Sequence, residues 1–331
     1  VAGHFADADY TAHGGQIVYN PEEAYQRADL VCTVGRLTAE EIELLRPEST
    51  VCGFLHLAVM PKAEIVQLQQ KRVTLIGYEI VQNLEGRRAI LVALSEIAGQ
   101  MAIHTAARLL EHGAGGRGVL LGSVPGVPAA TVMVLGAGTA GQAAARAALG
   151  VGAHVILLDA DVERLRQAHQ EMCGRPVTAM ASERNLARFA QVADVVVGAV
   201  LNPGAKSPDL ISEAMVKKMK PGSVIMDLSI DQGGCVETSR PTTLGDPTYV
   251  AHGVTHYCVP NMTAALPRTA SRALTLAALP FVERLANGVD VALKAHPGLA
   301  RGVYMYRGQI AHPHVARVVS EKHVELAQLL A

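Results

Sequence analysis

Thr131-Val-Met-Val-Leu135 runs directly into Gly136-Ala-Gly138-Thr-Ala-Gly141, and Gln142 to Leu149 continue with helical character. An apolar strand that breaks into GxGxxG and then into a helix is the local pattern of a dinucleotide-binding turn. Each glycine has its own reason. Gly136 permits the tight turn, Gly138 lets backbone approach a pyrophosphate, and Gly141 allows close packing of helix on strand. The helix N-terminus then offers unpaired N–H groups to the anion. A second apolar run, 154–158, ends at Asp159, 18 residues beyond Gly141. That acid is placed to accept hydrogen bonds from the adenosine ribose hydroxyls, which predicts NAD rather than NADP, because a 2′-phosphate would meet a carboxylate.

Working outward, the runs 195–200, 223–228 and 257–259 are apolar almost throughout, as suits strands buried on both faces of a parallel sheet covered by helices. Residues 16–88 have a different texture. Short apolar runs (16–19, 30–34, 49–57, 73–78) alternate with polar helical windows (38–45, 61–70), which predicts a small α/β unit. Thr38 followed by Glu41 and Pro61 at a helix start are N-terminal signals. A helix over 93–111 is expected to join the two regions. The tail reads as helix at 270–286 and 315–330, and a C-terminal helix packing back on the N-terminal unit would make that unit discontinuous.

Composition narrows the function classes. A chain of 331 residues, 50% hydrophobic and 18% charged, has room for two cores and is not a disordered segment. Lys+Arg 29 against Asp+Glu 30 leaves no basic surplus for a phosphate backbone, and 4% aromatics leave few stacking platforms, so nucleic acid is an unexpected partner. The five cysteines, Cys32, Cys52, Cys173, Cys235 and Cys258, form no CxxC pair and suit a reducing cytoplasm. Residues 118–145 carry no charge, but Pro125, Pro128 and six glycines argue against a membrane helix there. No signal peptide is expected at the start. His252 with His256, and His312 with His314, lack the Glu or Cys of a zinc site, so no metal is expected. No GxSxG elbow supports acyl transfer.

Several segments resemble the alanine dehydrogenase family: Phe54-Leu55-His56-Leu57-Ala58, Ser95-Glu96-Ile97-Ala98-Gly99, Gly115-Gly116-Arg117-Gly118, Gly126-Val127, Gly198-Ala199-Val200-Leu201 with Pro203-Gly204-Ala205, the run from Asp227 to Pro241 (DLSIDQGGCVETSRP), and Pro260-Asn261-Met262. The resemblance covers nearly the whole chain. The IDQGG segment separates that family from the NAD-binding part of proton-translocating transhydrogenase. What the resemblance implies is reversible oxidative deamination of L-alanine to pyruvate and ammonia with hydride transfer to NAD, in a hexamer. The implied architecture is α/β with two Rossmann-like domains. A doubly wound parallel-sheet NAD domain, 89–266, is inserted in a discontinuous α/β substrate domain, 1–88 plus 267–331.

Carried over residue by residue, the resemblance implies that the catalytic pair is His56 and Asp231. NAD contacts fall on Ser95, Gly136, Gly138, Gly141, Asp159, Ser182, Leu201, Val259 and Met262. The residues themselves agree with this chemistry. Oxidising an amino acid through an imine, with water added on the way, calls for a proton acceptor near neutral pH, and imidazole is matched to that range. Asp231 follows a buried strand and precedes Gly233-Gly234, at the sheet edge where ligands of open α/β sheets bind.

The chain also departs from the pattern. Family members carry a first strand and helix whose arginine holds the substrate carboxylate, and no counterpart of that arginine is found; Val1-Ala2-Gly3-His4-Phe5 matches the loop that follows. A Lys-Val-Lys-Glu-Pro run supplies a substrate lysine, where a count back from His56 gives Thr33-Val34-Gly35-Arg36-Leu37 and puts Gly35 in the lysine's place. A carboxylate without cationic partners is costly to bury. The alternatives are therefore an NAD-dependent reductase of another imine or oxo substrate, or a catalytically silent NAD-binding homologue.

Overall fold

Twelve strands order the chain in the computed structural model, which describes residues 3–202 and 205–331. In chain order they are β1 (Leu30–Cys32), β2 (Thr50–Gly53), β3 (Thr74–Gly77), β4 (Thr131–Leu135), β5 (His154–Asp159), β6 (Val177–Met180), β7 (Val195–Gly198), β8 (Val224–Asp227), β9 (Thr248–Ala251), β10 (Val254–Tyr257), β11 (Val303–Tyr306) and β12 (Gln309–Ile310). They fall into two sheets, each the centre of one compact unit. One unit holds the described residues up to Leu94 together with Leu266–Ala331; the other holds Ser95–Asn202 and Lys206–Ala265. The start of the chain at Val1-Ala2 and the Pro203-Gly204 pair of the family resemblance lie outside the described residues.

In the second unit the sheet order is β6-β5-β4-β7-β8-β10-β9, parallel except for the β9 edge. Counted from β4, this is the doubly wound order, and the direction of winding reverses between β4 and β7. Alternate side chains of β4 enter different cores. Val132 and Val134 pack with Val155, Val197 and Met226 on one face; Met133 and Leu135 pack with Ile156, Val196 and Ile225 on the other. Both faces are covered, which is why these strands read as unbroken apolar runs.

The helix Ala89–Leu109 carries the chain into this unit. By length and composition alone it could cross a bilayer, yet Met101, Ala102, Ile103 and Ala106 are buried in the protein core. Gly99 is the point of closest approach. A Cβ there would lie 2.3 Å from the Ala140 carbonyl oxygen and 2.7 Å from the Ala143 Cβ, so only glycine lets this helix cross the helix Thr139–Gly150.

The first unit has the order β1-β2-β3-β11-β12, with β1 to β3 parallel and the last two antiparallel. Ile42, Leu45, Leu55, Leu57, Ile65, Leu68, Leu75, Tyr304 and Met305 form its core. Thr38 and Glu41 make the expected capping box: Glu41 N–H donates to Thr38 Oγ1 at 3.2 Å and Thr38 N–H to the Glu41 carboxylate at 2.8 Å. Pro61 precedes the helix Lys62–Gln70.

Four sequence readings are corrected. Residues 16–19 form no strand. The expected joining helix over 93–111 starts a turn earlier and ends at Leu109. The tail is not wholly helical, because β11 and β12 form a hairpin whose Arg307 and Gly308 both have positive φ, 48° and 81°. The expected helix over 315–330 is broken: Pro313–Val319 stops at Ser320, a left-handed residue with φ 63°, and only Leu326–Leu329 resumes.

Candidate functional site

Gly136, Gly138 and Gly141 occupy the turn from β4 into the helix Thr139–Gly150, at the point where the sheet order reverses. Gly136 has φ 98°, and a Cβ on it would meet the Ala199 carbonyl oxygen at 2.4 Å. Gly141 is closer still, with the Gly136 carbonyl oxygen 1.7 Å from where a Cβ would stand. Gly138 is the opposite case: nothing lies within 4 Å of its Cβ position, and as N-cap it makes no side-chain bond to the helix N-terminus. The first N–H groups are thus left for an incoming anion.

Asp159 closes β5 with both carboxylate oxygens on backbone. Ala137 N–H donates to Oδ2 at 2.6 Å and Asp161 N–H to Oδ1 at 2.8 Å. The first bond ties the acid to the glycine turn itself. Each oxygen keeps a further lone pair for a hydroxyl donor. Room at Gly138, free helix N–H groups and a fixed acid at the end of the second strand together fit the adenosine and pyrophosphate of a dinucleotide.

A second loop of this unit carries Asp231. After β8 the chain makes the 3-10 turn Leu228–Gln232, capped by Asp227, whose carboxylate accepts from Ser229 N–H and Cys235 N–H, each at 3.0 Å. Asp227 is 2% exposed, and burial pushes its carboxyl above the ordinary value. Gly233 and Gly234 follow at φ 93° and 82°, which the reversal requires. Ser229 Oγ accepts from Val200 N–H and donates to Val200 C=O, both at 3.0 Å, so the loop is stitched to the end of β7. Asp231 Oδ1 accepts from Asn261 N–H at 2.9 Å.

The other expected contacts are spread around the same unit. Ser95 is half-buried on its helix, and Leu201 is 38% exposed beside the β7 end. Ser182 has a structural task, capping the helix Glu183–Val192 by accepting from Asn185 N–H. Val259 and Met262 are 4% exposed and packed in the core.

In the first unit His56 ends the run after β2 in the left-handed conformation, φ 46° and ψ 45°. A single buried acid holds it there. Glu79 Oε1 accepts from His56 N–H at 2.6 Å and from the Tyr304 hydroxyl at 2.9 Å, and lies 3.9 Å from His56 Nδ1. That last separation is too long for a hydrogen bond. Glu79 is 1% exposed, and its Oε2 has no hydrogen-bond partner among the described residues. Phe54 stacks on the His56 ring, 6.2 Å between centroids. Glu79 has no place in the sequence reading. Its only signal is an acid directly after the apolar run of β3.

Gly35 has nothing within 4 Å of its Cβ position, so a longer side chain would find room.

Comparison with known proteins divides the chain differently, since the second family match runs past Ala265 into the first unit. Residues 1–99 match the family described as alanine dehydrogenase/PNT, N-terminal domain, and residues 102–313 match alanine dehydrogenase/PNT, C-terminal domain. The chain is 44% identical over 326 residues to an alanine dehydrogenase of Mycobacterium tuberculosis, covering 98% of this chain and 88% of the relative. It is 38% identical to an alanine dehydrogenase of Staphylococcus epidermidis, covering 100% and 89%. Among solved structures, an L-alanine dehydrogenase superposes with a TM-score of 0.84 at 38% identity, over 99% of this chain and 88% of the other. A transhydrogenase from Sinorhizobium meliloti gives 0.72 at 24% identity, over 94% and 87%, which is a likeness of fold.

Proposed function

The chain belongs to the alanine dehydrogenase family, and from that premise we propose that it converts L-alanine, NAD and water reversibly to pyruvate, ammonia and NADH. The observation that carries this reading is the extent of the likeness: identity of 44% runs through 98% of the chain, both units included. The relatives do not favour a reductase of another substrate or a silent NAD-binding homologue.

NAD when bound supplies the hydride acceptor. The glycine turn receives its pyrophosphate, and Asp159 accepts hydrogen bonds from the adenosine ribose, with its carboxylate repelling a 2′-phosphate. Ser95, Ser182, Leu201, Val259 and Met262 make further contacts. His56 takes the proton released as water adds to the imine and returns one to the departing amine. Glu79 fixes the backbone from which that imidazole projects. Asp231, set in its turn by Asp227 and Asn261, offsets positive charge on the imine nitrogen. The unit holding Ser95–Ala265 is read as the NAD domain, and the unit made from both chain ends as the substrate domain. A hexamer working in the cytoplasm completes the proposal.

The test is turnover. Purified protein given L-alanine and NAD is expected to build up the near-ultraviolet absorbance of NADH, and His56→Ala to lose at least a hundredfold in rate. Gly35→Lys restores the family's cation in open space and is expected to lower KM for alanine severalfold. No turnover in either direction, by the parent chain or by Gly35→Lys, would sink the reading.

A further inference from the structure

Cys32 and Cys52 occupy opposed positions on neighbouring strands. β1 and β2 run parallel with Cys32 paired to Cys52, and the two sulfurs are 3.4 Å apart. Parallel strands lie about 4.8 Å apart, inside the window of roughly 4.4 to 6.8 Å that a disulfide spans between Cα atoms. A modest rotation of the two side chains therefore brings the sulfurs to bonding distance without moving backbone. The environments of the two thiols differ. Cys32 is exposed on β1, the edge strand of its sheet among the described residues, and Cys52 is buried beneath it. The Tyr78 hydroxyl lies 3.3 Å from Cys52 Sγ and also interacts with Cys32. None of these three groups has a part in the deamination.

We propose that this pair is an oxidation site, in which Cys32 reacts with hydrogen peroxide and Cys52 resolves the product to a cross-strand disulfide. The hydrogen bond from the Cys52 thiol lowers the Cys32 thiol to about 7, against opposition from burial, so that much of it is thiolate at neutral pH. In the first step the Cys32 thiolate attacks one peroxide oxygen. The O–O bond breaks, hydroxide leaves, and Cys32 becomes the sulfenic acid. The bond to Cys32 and burial raise the Cys52 thiol and keep it protonated while Cys32 is a thiolate. In the second step, with Cys32 now a sulfenic acid, Cys52 gives up its proton, the Tyr78 hydroxyl donating to the sulfur, and attacks the Cys32 sulfur. The S–O bond breaks, and the hydroxide leaves as water with that proton. Two electrons pass from the two sulfurs to the peroxide, whose oxygens both end as water, the first hydroxide taking up the proton that Cys32 had released to solvent. The new bond ties the edge strand to β2, four residues before His56.

Cys173 is the internal control, since it is exposed too but has no second thiol within hydrogen-bonding distance among the described residues. The full chain is treated with hydrogen peroxide, free thiols are blocked with N-ethylmaleimide, and peptides are weighed without reduction. A Cys32–Cys52 crosslinked peptide, lighter by two hydrogens and opened by dithiothreitol, is expected well before Cys173 is modified. In Cys52→Ser the reaction is expected to stop at a Cys32 sulfenic acid trapped by dimedone. The proposal is overturned if Cys32 stays open to N-ethylmaleimide as long as Cys173 does. It is equally overturned if the parent chain accumulates dimedone on Cys32 without the crosslink, or if the crosslink joins two chains. Masses, not turnover, are read, so the outcome is independent of the dehydrogenase assignment.

Discussion

Glu79 shows how much one buried side chain can organise. A lone carboxylate oxygen receives both the His56 N–H and the Tyr304 hydroxyl, and the left-handed turn at His56 rests on the first of these. Positive φ costs a branched or ring-bearing residue of order 1 kcal/mol or more, so removing the acceptor frees the imidazole to leave its position. Glu79→Ala is expected to lower kcat tenfold or more, as suits a lost charge-assisted bond, with NAD affinity unchanged. Glu79→Gln keeps an oxygen for both donors and is expected to recover most of the rate. Steady-state kinetics with a thermal-shift titration of NAD separate the two effects; equal losses in both variants would show that the bond itself is unimportant. Glu79 was not legible from sequence, because what gives it meaning is Tyr304, 225 residues away. Asp159 and the three glycines were legible, since their partners are local.

Among the elements, the strands buried on both faces were the readable ones. β4, β5, β7 and β8 are apolar runs between helices, and their period and context agree. β6, β9, β11 and β12 were missed for a different reason. β6 and β9 are edge strands with part-exposed patterns, β12 is a two-residue edge strand, and the fully buried β11 lies in a tail whose neighbouring windows have helical spacing. The two hairpins, β9–β10 and β11–β12, turn through His252-Gly253 and Arg307-Gly308, with positive φ at all four residues. The glycine in each pair was the available signal. Helix crossing is the element-level contact most exposed to a test. Gly99→Ala places a methyl 2.3 Å from the Ala140 carbonyl oxygen, on the helix that follows the glycine turn. A destabilisation of about 1–3 kcal/mol is expected from overpacking at such a site, with weaker NAD binding because the turn moves with its helix. Denaturant unfolding and a dinucleotide titration check it, and an unchanged midpoint would mean that the helices separate freely.

At the scale of the whole molecule, acid is the natural stress. Burial, with His314 and His323 nearby, lowers His312 from 6.5 to about 4, and burial lowers His256 as well. The unfolded chain therefore takes up these protons first as pH falls. The stability that the neutral rings contribute is complete above pH 6.5 and is lost progressively from there towards pH 4. His312→Gln cannot take up that proton and is expected to lose less stability than the parent between pH 7 and pH 4.5. Urea midpoints at the two pH values measure this; parallel losses would assign the acid sensitivity elsewhere.

The antiparallel pairing of β3 with β11 has a consequence in time. Ile76 pairs with Val303 and Leu75 with Met305, and the hydroxyl that seats Glu79 belongs to Tyr304, between Val303 and Met305. A ribosome delivers the unit from Ser95 to Ala265 before it delivers β11, so that unit is free to fold while the first sheet still waits for its fourth strand. During that interval His56 already exists as a residue, but the bond network that orients it does not. Synthesis itself thus withholds the full support of the His56 turn until β11 has emerged.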